Sequence, residues 1–150
     1  LGDVELCESC ARELAKKVPA EAEIIMTAET KGIPLAAELA RQLGMPYYIT
    51  ARKSVKAYME DPIWVEDESI TTMGKQRLYL MSTDIERIRG RRVLLLDDVI
   101  STGGSMLALG KLAKKAGAHV IGQAAVLAEG DAAKRTDIIF LEALPLFEAQ

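Results

Sequence analysis

Apolar residues along the chain follow two patterns, short continuous runs and positions spaced three or four residues apart. Runs are typical of strands buried on both faces, and the wider spacing indicates amphipathic helices. The runs, with one alternating segment at 76–81, predict strands at 23–28, 47–51, 76–81, 93–96, 120–127 and 137–141. The spaced positions predict helices at 4–18, 84–89 and 106–116, and another with Pro34 in its first turn that ends at Gly44. This alternation predicts an α/β fold, a parallel sheet flanked by helices.

Residues 54–72 have no clear period, and they contain Pro62, Trp64 and the acidic run 66–68. We interpret this segment as a long excursion that ends in a hairpin, with 76–81 as the return strand. Long connections in compact domains are usually functional lids or disordered segments. We expect Trp64 to anchor this segment rather than to stack on a ligand.

The most specific chemistry follows the apolar run 93–96. Two acids, Asp97 and Asp98, lead into the turn 101–105, Ser-Thr-Gly-Gly-Ser, which precedes a predicted helix and contains no Lys or Arg. Backbone amides at a helix N-terminus bind anions, and two glycines let the loop curl tightly. The acids would repel a phosphate and bind hydroxyls or a metal instead. The pattern predicts a sugar phosphate ligand; the alternative is a loop that only joins strand to helix.

Two other predicted strands end near cationic residues. Lys31 follows the first strand, and Arg52 and Lys53 follow the second. Because the carboxyl ends of parallel strands meet at one edge of a sheet, these side chains would flank an anion there. The alternative is that they are solvated surface charges.

Composition excludes several classes of protein. With 150 residues, 49% of them hydrophobic, we expect one domain over 1–150 with a substantial core. The net charge of -3 gives no basic surface for nucleic acid, and no apolar run approaches the ~18 residues of a membrane span. No signal-peptide pattern is present, so we expect a cytoplasmic protein.

Cys7 and Cys10 are spaced three residues apart within the first predicted helix. Such a pair can bind metal or act in redox chemistry, but the chain has no second pair and a single histidine, whereas structural zinc usually takes four ligands. We interpret both as reduced thiols at the edge of the core.

The segment 92–105 closely resembles the phosphoribosyl pyrophosphate signature of type I phosphoribosyltransferases. The segments 27–32 (Thr-Ala-Glu-Thr-Lys-Gly), 51–53 (Ala-Arg-Lys) and 69–72 (Ser-Ile-Thr-Thr) are similar to the adenine phosphoribosyltransferase-like branch of that family. The resemblance covers residues 1–147, nearly the whole chain.

The resemblance implies a role for each motif. The ribose hydroxyls and the positive charge that develops on the sugar are assigned to Asp97 and Asp98. The 5-phosphate is assigned to the loop residues Ser101, Thr102, Gly103, Gly104 and Ser105. The leaving pyrophosphate is assigned to Glu29, Thr30, Lys31, Gly32, Arg52 and Lys53. We expect Mg²⁺ to bridge substrate oxygens without a direct protein ligand, Asp97 and Asp98 reaching it through water.

The resemblance also implies a flexible hairpin lid over residues 54–81, with Lys75 at its tip. Thr71 and Thr72 stand near the positions where well-known members have a Glu-Tyr pair, so base preference does not carry over. Adenine phosphoribosyltransferases have an N-terminal hood, upstream of the first helix, that helps to hold the base. Because the chain begins at the first helix, we expect this hood to be absent and transfer to a purine to be poor.

The expected reaction is magnesium-dependent transfer of a 5-phosphoribosyl group from phosphoribosyl pyrophosphate to a purine base in purine salvage. Adenine is the first expectation and another purine the second; the products are a nucleoside monophosphate and pyrophosphate. We expect a homodimer without a nucleic-acid or membrane partner. The alternative is a phosphoribosyl pyrophosphate sensor that regulates transcription without chemistry.

Overall fold

Strands and helices alternate along most of the chain. The structure, a computed structural model, describes residues 2–67 and 76–144. In chain order the elements are α1 (Val4–Ala15), β1 (Ile24–Ala28), α2 (Ile33–Gln42), β2 (Tyr48–Ala51), β3 (Ile63–Asp67), β4 (Gln76–Leu80), α3 (Ser82–Ile88), β5 (Arg92–Ile100), α4 (Gly104–Lys115), β6 (His119–Glu129), a 3-10 helix (Gly130–Lys134) and β7 (Ile139–Leu144). No helix in these two ranges has the length and apolar character needed to cross a bilayer.

Five of the strands form one parallel sheet in the order β2-β1-β5-β6-β7. The predicted α/β fold is thereby confirmed. Strands β1 and β5 are neighbours, with Ile24 paired to Val93, although 63 residues lie between the end of β1 and the start of β5. The loops that follow them therefore emerge side by side at the carboxyl edge of the sheet, where ligands bind in open α/β folds.

Strand β5 is buried on both faces, which explains its continuous apolar run. Val93 and Leu95 pack in a cluster with α3, α4 and the strand β4. Leu94 and Leu96 pack in the opposite cluster with α1 and α2. All four side chains are fully buried. The acidic pair that follows is therefore carried on a rigid central strand.

Some element boundaries differ from the prediction. Strand β5 continues through both acids, since Val99 and Ile100 still pair with β6. Helix α1 ends at Ala15, three residues early, because a residue that precedes a proline, here Val18, disfavours helical backbone. The last strand begins at Ile139 instead of 137. The 3-10 helix between β6 and β7 was not predicted.

The excursion after β2 contains an antiparallel hairpin of β3 and β4 with Trp64 opposite Tyr79. Trp64 lies on the strand β3, with the Arg77 guanidinium carbon 3.9 Å from its ring centroid. Lys115 of α4 donates a hydrogen bond of 3.0 Å from Nζ to the Trp64 carbonyl. Trp64 thus attaches the hairpin to α4. Residues 68–75, which include Thr71, Thr72 and the predicted lid residue Lys75, lie outside the described residues.

Candidate active site

The serine- and glycine-rich turn connects β5 to α4. Gly103 is the N-cap of α4 and has a φ of 84°, a left-handed conformation that favours glycine. The Gly104 amide donates to the Thr102 hydroxyl at 3.4 Å. A small cavity of about 60 Å³ is lined by the predicted phosphate residues Ser101, Thr102, Gly103, Gly104 and Ser105, together with Asp97. The arrangement suits a small anion at a helix N-terminus.

A larger central cavity of about 410 Å³ lies beside the small cavity and shares Asp97 and Ser105 with it. It brings together residues from three regions that the sequence analysis singled out. They are Glu29, Thr30 and Lys31 after β1, Lys53 after β2, and Asp97 and Asp98 on β5. Gly32 and Arg52 are not on its wall. The hairpin adds Asp67, Gln76 and Leu78, which were not predicted as site residues.

The acidic pair has an unusual electrostatic environment. Burial raises the pKa of Asp97 to about 7, and the side chain of Asp98 adds to that rise through a hydrogen bond and its charge, whereas the Asp98 backbone amide and Lys53 oppose it. The Asp98 amide donates to Asp97 Oδ1 at 2.8 Å. Without a ligand, the Asp97 carboxyl group is therefore present in both its protonated and its ionised form near neutral pH. A cationic group beside it would favour the carboxylate.

Glu29 and Arg52, which follow different strands, are in direct contact. Their side chains form an ion pair, and the Lys53 amide donates to Glu29 Oε2 at 3.4 Å. Arg52 also exchanges two backbone hydrogen bonds with Tyr79, at 2.9 and 2.8 Å. These contacts tie the loop after β1 to the end of β2 and to the hairpin. Among the residues that the structure describes, Lys31 and Lys53 are the cations on the central cavity's wall.

A third, apolar cavity of about 290 Å³ shares Lys31 and Asp98 with the central cavity. Its apolar wall combines Leu6, Cys7 and Cys10 of α1, Pro34 and Leu35 of α2, Val99 of β5, and Val126 and Leu127 of β6. Sequence analysis missed this cavity because the four elements are distant in sequence. Val99 and Leu127 pair across β5 and β6, which only the strand order reveals.

The two cysteines on this wall are free thiols. Burial raises the pKa of the Cys7 thiol, with a further contribution from Glu38, and burial alone raises the pKa of Cys10. Both therefore stay protonated at neutral pH and behave as small apolar side chains. In the described ranges, no group of three or more histidine, cysteine or acidic side chains is arranged to hold a metal ion.

Arg135 is a further residue that sequence analysis missed. A Cβ at Gly103 would lie 3.0 Å from its Nη1, so the guanidinium packs against the small cavity's loop. Asp137 holds it through two hydrogen bonds, from Nε at 2.8 Å and from Nη2 at 2.6 Å. The turn itself carries no cation, but the fold brings one beside it.

Comparison with known proteins decides the family. Residues 4–145 match the family model described as a phosphoribosyl transferase domain. The chain belongs to the phosphoribosyltransferase family. The match to the family model confirms the resemblance that was first seen in residues 92–105.

Curated relatives in this phosphoribosyltransferase family include two archaeal proteins named hypoxanthine/guanine phosphoribosyltransferase. The protein of Methanotorris igneus is 37% identical over 128 residues, which cover 82% of this chain and 66% of the relative. That of Methanothermococcus okinawensis is 35% identical over 127 residues, covering 85% and 65%. The chain thus spans slightly less than two thirds of the length of each.

Solved structures of adenine phosphoribosyltransferases share the fold. The enzyme from Thermoanaerobacter pseudethanolicus superposes with a TM-score of 0.79 at 25% identity, covering 95% of this chain and 83% of that one. The enzyme from Rhodothermus marinus gives a TM-score of 0.73 at 23% identity, covering 93% and 78%. The sheet with helices on both faces is therefore the type I phosphoribosyltransferase fold.

Proposed function

We propose that this chain transfers a 5-phosphoribosyl group from phosphoribosyl pyrophosphate to a purine base. The observation that carries this proposal is the succession of three adjoining cavities. The small cavity shares Asp97 and Ser105 with the polar central cavity, which in turn shares Lys31 and Asp98 with the apolar cavity. Their order matches the 5-phosphate, the ribose with its pyrophosphate, and the acceptor base.

The donor's two phosphorylated ends bind differently in this proposal. The 5-phosphate accepts hydrogen bonds from the amides and hydroxyls of residues 101–105, aided by the N-terminus of α4. The pyrophosphate binds at Thr30 and Lys31 of the loop after β1, with Lys53 opposite. Arg52 acts through its ion pair with Glu29, which holds this loop against β2.

Asp97 and Asp98 carry the chemistry of the sugar. Their carboxylates accept charge-assisted hydrogen bonds from the ribose hydroxyls. As the bond to pyrophosphate lengthens, the sugar gains positive charge, and the negative field of the acidic pair stabilises it. No protein nucleophile is needed for this reaction.

Magnesium fits the donor set of the central cavity. The carboxylates of Asp97 and Asp98 line a wall that also faces the proposed pyrophosphate site, and Mg²⁺ prefers a few carboxylates supplemented by phosphate oxygens and water. When bound, the ion would neutralise charge on the leaving pyrophosphate. The chain's own lysines on that wall, Lys31 and Lys53, add to this neutralisation.

The acceptor base binds in the apolar cavity. A purine is planar and largely apolar on its faces, which suits the aliphatic and thiol groups of α1, α2 and the paired residues Val99 and Leu127. Because Asp98 and Lys31 line both cavities, a base there would lie next to the ribose. Curated relatives are named for hypoxanthine and guanine and the structural neighbours for adenine, so we propose a purine with adenine tested first.

The β3–β4 hairpin is proposed to cover the donor. Asp67, which is 4% exposed, and Gln76 reach the central cavity from its two strands. Closure over the site would exclude water that could intercept the reactive sugar.

Pyrophosphate release from phosphoribosyl pyrophosphate and Mg²⁺ tests the function. It is measured with adenine, hypoxanthine or guanine and with base omitted. We expect release that depends on at least one of these bases. Tight donor binding without base-dependent release would contradict the enzymatic function and favour a regulatory protein that senses the donor.

A further inference from the structure

The side chain of Thr27 lies beneath the loop that follows β1. Thr27 is fully buried, and its hydroxyl oxygen has no hydrogen-bond partner in the described part of the chain. It is two residues from Ile25 and so lies on the same face of β1, which α2 covers. A buried hydroxyl without a partner is destabilising, and a native protein that retains one calls for an explanation.

Gly32 lies directly above this hydroxyl. A Cβ at Gly32 would overlap Thr27 Oγ1 and would lie 3.7 Å from the Asp97 Cα atom. The backbone of Gly32 has a φ of -77°, which any residue can adopt, so glycine is needed here for space rather than for conformation. The loop backbone therefore packs closely on Thr27 and on the backbone of the acidic strand.

Three backbone amides in the loop after β1 are available to bind a ligand. Within residues 2–67 and 76–144, the amides of Thr30, Lys31 and Gly32 donate to no protein acceptor, whereas the flanking amides of Glu29 and Ile33 donate to Ala51 and Thr30 carbonyls. Successive amides of this kind, at the start of α2, form a nest for an anion. Turning the Gly32 amide toward an anion would turn the Lys31 carbonyl the opposite way, because both belong to one planar trans peptide.

We propose that Thr27 is a positioning residue for pyrophosphate: its hydroxyl donates a hydrogen bond to the Lys31 carbonyl when the loop amides turn toward the bound anion. This inference rests on the proposed function of the central cavity. The hydrogen bond forms only in the ligand-bound loop, so its free energy adds to ligand affinity. A hydroxyl that is unpaired before binding gains the most from such a partner.

Two substitutions separate this role from packing. Thr27→Val keeps the shape and removes the hydroxyl, and Thr27→Ser keeps the hydroxyl and removes the methyl group. Isothermal calorimetry with pyrophosphate and Mg²⁺ measures the affinity of each variant. Ribose 5-phosphate, whose phosphate binds at 101–105, is the control ligand, and thermal unfolding reports stability.

We expect Thr27→Val to bind magnesium pyrophosphate about three- to tenfold more weakly, with unchanged affinity for ribose 5-phosphate and no loss of thermal stability. Thr27→Ser should bind pyrophosphate within about twofold of the parent chain, although its loss of packing makes it less stable. Parent-like pyrophosphate affinity in Thr27→Val, or an equal loss for both ligands, would overturn the inference alone. A parent chain that binds neither ligand would instead overturn the proposed function and this inference together.

Discussion

Asp97 suits ligand binding at some expense to the stability of the fold. Its pKa is raised to about 7, chiefly by burial, whereas an aspartate in an unfolded chain titrates near ~3.9. Between these two pH values, the Asp97 carboxyl group is therefore largely protonated in the folded state and largely ionised in the unfolded state. By linkage, stability falls as the pH rises through this window and stays lower above it.

Asp97→Asn should accordingly stabilise the ligand-free chain at alkaline pH, because the amide carries no charge to bury. At pH 8 without magnesium we expect a gain on the order of 1 to 3 kcal/mol, shrinking toward pH 4. Chemical unfolding across this pH range measures it. Asp131→Asn, at a side chain that is 99% exposed, controls for the change in net charge. An Asp97→Asn variant that is no more stable than the parent at pH 8 would refute the electrostatic argument.

Cys10 tests whether the apolar cavity holds the acceptor. Cys10→Phe adds a ring to the cavity wall, so the apparent Michaelis constant for the base should rise by about tenfold or more, with unchanged affinity for the donor. Steady-state kinetics with varied base, and calorimetry with the donor, give the two quantities. Cys10→Ala leaves the cavity open and should have little effect on either. A folded Cys10→Phe variant with an unaltered constant would mean that the base binds elsewhere.

At the scale of elements, prediction succeeded where one side-chain pattern determines the backbone. The run 93–96 predicted a strand buried on both faces, and Leu78 and Leu80 face inward as their alternation indicates. The end of β5 was predicted too early, because the acidic residues that follow the apolar run indicated a loop. Backbone pairing with β6 instead keeps these acids within the strand. The five-residue 3-10 helix at Gly130–Lys134 is too short to carry a period.

The β3–β4 hairpin should depend on Trp64. Its ring contacts Arg77, and the Lys115 ammonium of α4 lies 5.6 Å from the ring centroid. Trp64→Ala should weaken attachment of the hairpin by about 1 to 2 kcal/mol. Hydrogen exchange should then accelerate at the amides of β3 and β4 and not at those of β5. Trp64→Phe keeps an aromatic face and should exchange more slowly than Trp64→Ala; equal exchange in the parent and Trp64→Ala would contradict this anchoring role.

At the scale of the whole molecule, the candidate site was predicted in its parts and not in its arrangement. Loop chemistry in the sequence indicated Lys31, Arg52–Lys53 and the segment 97–105, and the family resemblance extended the first of these to residues 29–32. The strand order brings the first and last of these together, and no local pattern specifies that order. The apolar cavity and the contact between Arg135 and Gly103 arise from elements distant in sequence, so they became visible only in the folded chain.

The central claim is that this chain joins the ribose of phosphoribosyl pyrophosphate to a purine. Single-turnover product analysis tests it most directly: the chain, Mg²⁺, one equivalent of donor and a purine are mixed, and the products are separated and identified by mass. The account predicts a nucleoside 5-monophosphate and pyrophosphate in equal amounts, and neither when the base is omitted. The account would be contradicted if the chain binds the donor but the donor is recovered intact with each of adenine, hypoxanthine and guanine.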